Sequence, residues 1–219
     1  MAIAFDNSTS ASGTLTSTSF SYTCSGSDRL LVLFLDRWTT SGYPSTVSYN
    51  GVAMTLLGEH SIRRRWTVYY LINPDSGANT FVLSGLPYAH YTLSLVSYTG
   101  VKQSSFPDAS DFTQQGTGTA VSTSLTTVAD NCWVISGSLI EANVAGEPAA
   151  GTATTRRTGT NRSANSASIS AFDNNAAKTP AGSVSLEGTS AVSRTQNFLT
   201  ISIAPSTATA TNSGFLAIL

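Results

Sequence analysis

Charge is the first thing this sequence lacks. Of its 219 residues only 11% are Asp, Glu, Lys or Arg, and the formal net charge is −1. So weak a charge provides no long-range field to gather the chain onto DNA or an anionic bilayer, so neither nucleic acid nor membrane is an expected partner. Long apolar runs are missing too, with nothing near the ~18 consecutive apolar residues of a spanning helix. The opening MAIAFDNSTS has neither the basic start nor the apolar stretch of about 7–15 residues that marks a secretory leader, so synthesis in the cytosol without export is expected.

Histidine and cysteine are equally scarce. Two histidines, His60 and His90, make a metal triad or a Ser-His-Asp arrangement hard to assemble. The segments GxSxG, HExxH, GxGxxG and the P-loop are absent. Cys24 and Cys132 come without CxxC or Cys/His companions, so they read as two small buried apolar residues rather than a disulfide or a metal site. No cofactor, no metal and no enzymatic activity are expected. The carboxylates sit mostly beside turns, where capping explains them. Asp108 and Asp111 share one segment, and two close carboxylates are what Ca²⁺ binding or glycoside hydrolysis would need; turn formation is the plainer reading.

Hydroxyl groups are what the chain has instead. Serine and threonine make up roughly 30% of it, far above ordinary usage. Such a surface is typical of proteins outside cells, and a virion component, made in the cytosol and released by lysis, reconciles that surface with the missing leader.

Short apolar or alternating stretches recur between clusters of Gly, Pro, Asn, Asp and Ser, and no segment shows helical periodicity. The pattern predicts an all-β, antiparallel, two-sheet sandwich, with strands at 3–5, 14–22, 30–36, 46–49, 52–57, 66–72, 79–83, 91–98, 120–128, 132–140, 166–172, 183–186 and 198–203. LLVLFL at 30–35 is apolar at every position, so both its faces should be covered. Segments 14–22 and 120–127 alternate polar with apolar and belong at an edge or outer face. Asn50-Gly51 predicts a tight hairpin, because both central residues of that turn need positive φ. Segments 101–118 and 141–165 lack a pattern and read as long contact loops. The length fits one sandwich domain over 1–204, followed by an arm, 205–219, that ends in FLAIL. Phe215, Leu216, Ile218 and Leu219 are then either a last strand of this sandwich or a strand added to a neighbour.

Three sets of residues are candidate contacts. Arg63, Arg64 and Arg65 form the densest charged cluster, with Arg156, Arg157 and Arg162 a sparser one; planar guanidinium groups suit a carboxylate on a partner protein. Trp38 and Tyr43, in RWTTSGYP, are the rings best placed for stacking on a sugar, since alternation buries about half of the rings in 66–72. The apolar tail is the third.

The segments DRLLVLFLDRW, VSYNGVAMTLLG, WTVYYLINPDSGANTFVLS and LSLVSYTGVKQ, taken in order, resemble a jelly-roll-like β-sandwich module of tailed-bacteriophage virion proteins that also occurs in secreted bacterial surface proteins. The match covers about residues 14–105. The resemblance implies the fold, and a role as a capsid decoration (cement) protein, a fibre part or an adhesive module. The leading expectation is a decoration protein that binds the major capsid protein and copies of itself, as a symmetric oligomer such as a trimer. The alternative is a carbohydrate- or receptor-binding module.

Overall fold

The computed structural model describes residues 1–37, 42–61, 65–87, 90–141, 147–162 and 167–207. Among them every regular element is a strand, and all pairing is antiparallel. The expected all-β antiparallel sandwich is therefore what the chain forms. The described residues form three sheets rather than two.

The middle sheet runs β1 (Ala4–Gly13), β9 (Tyr91–Thr99), β3 (Leu30–Arg37), β7 (Arg65–Ile72), β6 (Thr55–Ser61). Strand β3 is buried along its whole length, as its unbroken apolar run predicts. Its alternate side chains feed two different cores. Leu30, Val32 and Phe34 face one way, with Trp66, Val68 and Val96; Leu31, Leu33 and Leu35 face the other, with Tyr69, Leu93 and Leu95. This is period-2 alternation with both faces covered.

On the second face lies a four-stranded sheet: β2 (Thr18–Cys24), β8 (Gly77–Ser84), β4 (Thr46–Tyr49), β5 (Val52–Ala53). The β4–β5 turn is the predicted Asn-Gly hairpin, with φ of 48° at Asn50 and 76° at Gly51 and Tyr49 paired with Val52. Strand β2 is an edge, as its alternating pattern suggests.

On the first face lies the third sheet, whose path is β10 (Ala109–Thr126), β15 (Ser183–Ile203), β11 (Trp133–Ile140), β14 (Ala167–Asp173), β13 (Thr155–Arg162), with β12 (Ala149–Ala150) pairing β15. Two expected loops prove to be partly strand: 109–118 opens β10, and 155–162 is β13. Likewise, 183–186 and 198–203 belong to one 21-residue strand. These polar stretches become strands because β14 and β15 offer them backbone partners, a condition that hydrophobic patterning does not register.

The β10–β15 ribbon also bends back on itself. Register shifts fall between Gln115 and Gly118 and between Gly118 and Ala120, and beyond them Val121, Leu125, Val184 and Leu186 cover Val134, Ile140, Phe172 and Phe198 on the outer face of the sheet. The hydroxyls of Thr123 and Thr200 meet at 3.0 Å across this fold, and Ser136 lies 2.9 Å from Thr200. The ribbon tip thus acts as a fourth layer, and β10 supplies the outer edge that its alternation predicts.

The core between the middle and third sheets takes residues from both halves of the chain. Phe34 and Trp66 stack at 6.1 Å over Gly137, where any side chain would collide with both rings. An ion pair whose carboxylate, Asp173, is fully buried stitches the same two layers together. Asp173 on β14 accepts from Arg157 Nε at 2.6 Å and Nη2 at 3.0 Å, from the Tyr98 hydroxyl at 2.8 Å, and from the Asn175 amide at 3.0 Å. Arg157 also lies 4.3 Å from the centre of the Phe5 ring. Removing one partner of such a pair leaves an uncompensated charge, at about 3–5 kcal/mol. Asp173→Ala should therefore lower the free energy of unfolding by about that amount. Joint replacement of Arg157 and Asp173 by apolar residues should lose much less, and urea titration of both variants measures the difference.

Candidate functional site

The middle sheet ends in charge. Strand β3 closes with Arg37, and register sets Arg37 directly opposite Arg65, the first residue of β7, and opposite Tyr91 of β9. Arg37 falls on the same face as Leu31, Leu33 and Leu35, so its guanidinium closes the end of the apolar space between the middle and four-stranded sheets. It is fully buried. Its Nη1 donates to the Gly42 carbonyl at 2.7 Å, while Nε and Nη2 have no hydrogen-bond partner among the described residues. Burial, and next the neighbouring Arg65, pull its pKa down, yet guanidinium keeps its proton at any ordinary pH.

Tyr43 forms the outer wall. Its ring centre is 4.4 Å from the Arg65 guanidinium carbon and 5.4 Å from that of Arg37, both within cation–π range. Glu59 on β6 binds the same group twice over: its Oε2 lies 3.2 Å from Arg65 Nη1 and accepts from the Tyr43 hydroxyl at 2.9 Å. Exposure rises outward, from none at Arg37 to 45% at Tyr43. Arg37 and Arg65 are matched in number by Glu59 and Asp36, whose fields both reach Arg37, under a partly exposed ring. A guanidinium beside a partly exposed ring is a group that can hold a planar oxyanion.

Two of the sequence candidates, Arg65 and Tyr43, are brought together here. Trp38, Arg63, Arg64, Phe215, Leu216, Ile218 and Leu219 lie outside the described residues. Arg37 and Glu59 were not legible as site members, because only the β3–β7 and β6–β7 registers bring them to Tyr43; the one hint was a charged residue ending an otherwise apolar strand. Of the sparser arginine cluster, Arg157 is spent on Asp173 and Arg156 pairs with Glu147 at 3.0 Å.

The remaining candidates have structural employment. Asp108 accepts from the Val128 and Ala129 amides at 2.8 and 3.0 Å and from the Ser202 hydroxyl at 3.0 Å, so it caps a turn. Among the described residues no group of three or more His, Cys, Asp or Glu is placed to hold a metal ion. Trp66 and Tyr69 are buried on opposite faces of β7, as the alternation anticipates. Compared with protein families, curated proteins and solved structures, the chain shows no match.

Cys24 and Cys132 are buried and not joined to each other. Burial pushes both thiols from 9.0 up to about 11, and Tyr49 from 10.0 to about 12. Because the unfolded chain would give up these protons first, their contribution to stability is complete below about pH 9 and is lost as pH rises toward 11 and 12. Both thiols should be inert to a disulfide reagent at pH 8 and react only after denaturation. The urea midpoint should fall between pH 9 and 11; a fast-reacting native thiol would contradict this assignment.

Proposed function

We propose that this chain is a structural component of a bacteriophage virion, a decoration protein that binds neighbouring major capsid protein subunits and copies of itself as a symmetric oligomer. The observation that carries this reading is the nested pairing of eight of the first nine strands: β1 with β9, β2 with β8, β3 with β7, β4 with β5, while β6 pairs β7. Such nesting supports a jelly roll, an architecture frequent in viral capsid and lectin domains. The support is by analogy of fold, and the sequence resemblance points the same way. Third and fourth layers on one face make a stiff tile, suited to bearing load through many repeated contacts that each bury about 1,000 Å² or more.

The apolar tail is the contact element in this reading. Backbone pairing continues through Pro205, which bridges Val101, and Ser206, whose amide donates to the Gly100 carbonyl at 2.7 Å and whose carbonyl takes the N-terminal ammonium at 2.7 Å. A truncation that spares the sandwich therefore removes 208–219 rather than all of 205–219. Quantitative mass spectrometry of density-purified particles should find the protein in fixed stoichiometry with the major capsid protein, and the 208–219 deletion should lower that occupancy. Recovery solely in the soluble lysate rejects the decoration reading; unchanged occupancy after deletion rejects the tail as its contact.

A second reading, a carbohydrate- or receptor-binding module of a fibre or surface protein, is favoured by one observation: the half-exposed Tyr43 ring beside two guanidinium groups.

A further inference from the structure

We infer that residues 215–219, FLAIL, of one copy dock in the cleft at the root of a second copy's tail, and that two copies exchange these segments about a two-fold axis. This deepens the decoration reading, on whose use of the tail as a contact between copies it rests, by assigning the surface that receives the tail.

The receiving surface lies where β15 leaves the sandwich. A cleft of about 560 Å³ opens there between the first residues of the chain, the segment between β10 and β11, and the segment after β14. Ile3 and Trp133, both members of the core between the middle and third sheets, line its buried side, while Met1 and Ala177 line it as exposed residues. Its volume falls in the range of clefts that hold a compact, largely apolar ligand, which gives room for Phe215 and Leu216. Met1 is 57% exposed, and its flexible thioether can adapt to what enters. Among the described residues no Asp, Glu, Lys or Arg lines the cleft. Segment 207–219 has none either, so seating one in the other strips no charged side chain of water.

Pro205 and Ser206 line the same cleft. Root and receptor are therefore one patch. The Ser206 amide donates to the Gly100 carbonyl at 2.7 Å, which fixes where the tail departs.

That shared patch decides whose tail enters. Segment 207–211, TATAT, alternates β-branched residues, a pattern that favours an extended path. A reversal at Asn212-Ser213-Gly214, the turn-forming stretch that follows, would set Phe215 beside Thr211 and return only Leu219 to Thr207. Phe215 would then stand about 13 Å from the rim of its own cleft. Extended, residues 208–214 reach at most about 25 Å, enough to cross to a cleft that faces them. When two copies set this patch against itself, each root faces the other's cleft, so the exchange closes as an isologous pair with no arm left over.

Disulfide trapping in the full chain tests the exchange, since Cys24 and Cys132 are buried. An Ala177→Cys chain mixed with a Leu216→Cys chain under mild oxidation should give the covalent heterodimer in preference to either homodimer. A double variant that closes within one chain, with no heterodimer in the mixture, overturns the exchange in favour of a tail folded onto its own molecule. No disulfide in either sample overturns the cleft as receptor. Independently, a chain lacking 208–219 should bind a synthetic 208–219 peptide saturably, with a shift in tryptophan fluorescence from Trp133. Phe215→Ser in the peptide, or Ala177→Glu at its exposed position in the cleft, should weaken that binding by at least about tenfold; undiminished binding of both overturns the assignment. None of these measurements involves particles. A trapped exchange in a protein absent from particles rejects the decoration reading alone, and a protein that coats particles without a trapped exchange rejects the exchange alone.

Discussion

Everything in this molecule hangs on a sheet that is apolar on both faces. Strand β3 has β9 on one side and β7 on the other, and LLVLFL leaves no face of it for water. A single sheet with two apolar faces cannot exist in solution, so it must be covered twice, once by β2-β8-β4-β5 and once by the sheet of the chain's second half. At about 1.5–3 kcal/mol for each fully buried aliphatic side chain, the six residues 30–35 are among the largest apolar contributions that the fold makes. The second half of the chain repeats the problem on a smaller scale, since Val134, Phe172 and Phe198 face outward from its sheet. It solves it internally, by folding the ribbon tip over them.

Apolar layers slide unless something specifies their registration. Polar stitches inside the stack do this. Asp173 receives four donors from β13, β9 and the turn after β14, which fixes how the third sheet sits on the middle one. On the opposite side, the Tyr22 hydroxyl reaches the Asn7 carbonyl at 2.7 Å and Ser97 at 3.1 Å, and Ser97 donates to Asp6 at 2.7 Å, tying β2 to β1 and β9. Because these groups are bonded to one another, their burial costs little and a shifted register would strand them. Thr123, Ser136 and Thr200 serve the same end, and part of the hydroxyl content that looks like surface chemistry is interior.

Arg37 and Arg65 follow from the same architecture. The space between two sheets must be closed at its ends, and a long side chain with an apolar stem can fill that gap while carrying its charge toward the rim. At this end the closing groups are guanidiniums under a tyrosine, which converts a packing necessity into a chemically distinctive spot. Asp108 caps a turn and Asp173 joins strands.

The strand composition of this protein was already written in the sequence. Periods of two, Gly and Asn turns and the unbroken apolar run of β3 specify local conformation and local burial, which depend on neighbours a few residues away. The doubly covered strand even announced that layers lie on both sides of it. What only the tertiary structure decided was the number of sheets, the strand identity of 109–118 and 155–162, and the meeting of Arg37, Tyr43, Glu59 and Arg65. Those outcomes depend on which distant segment supplies the backbone partner and in what register. Alternation states that a face is buried, but it carries no record of what buries it.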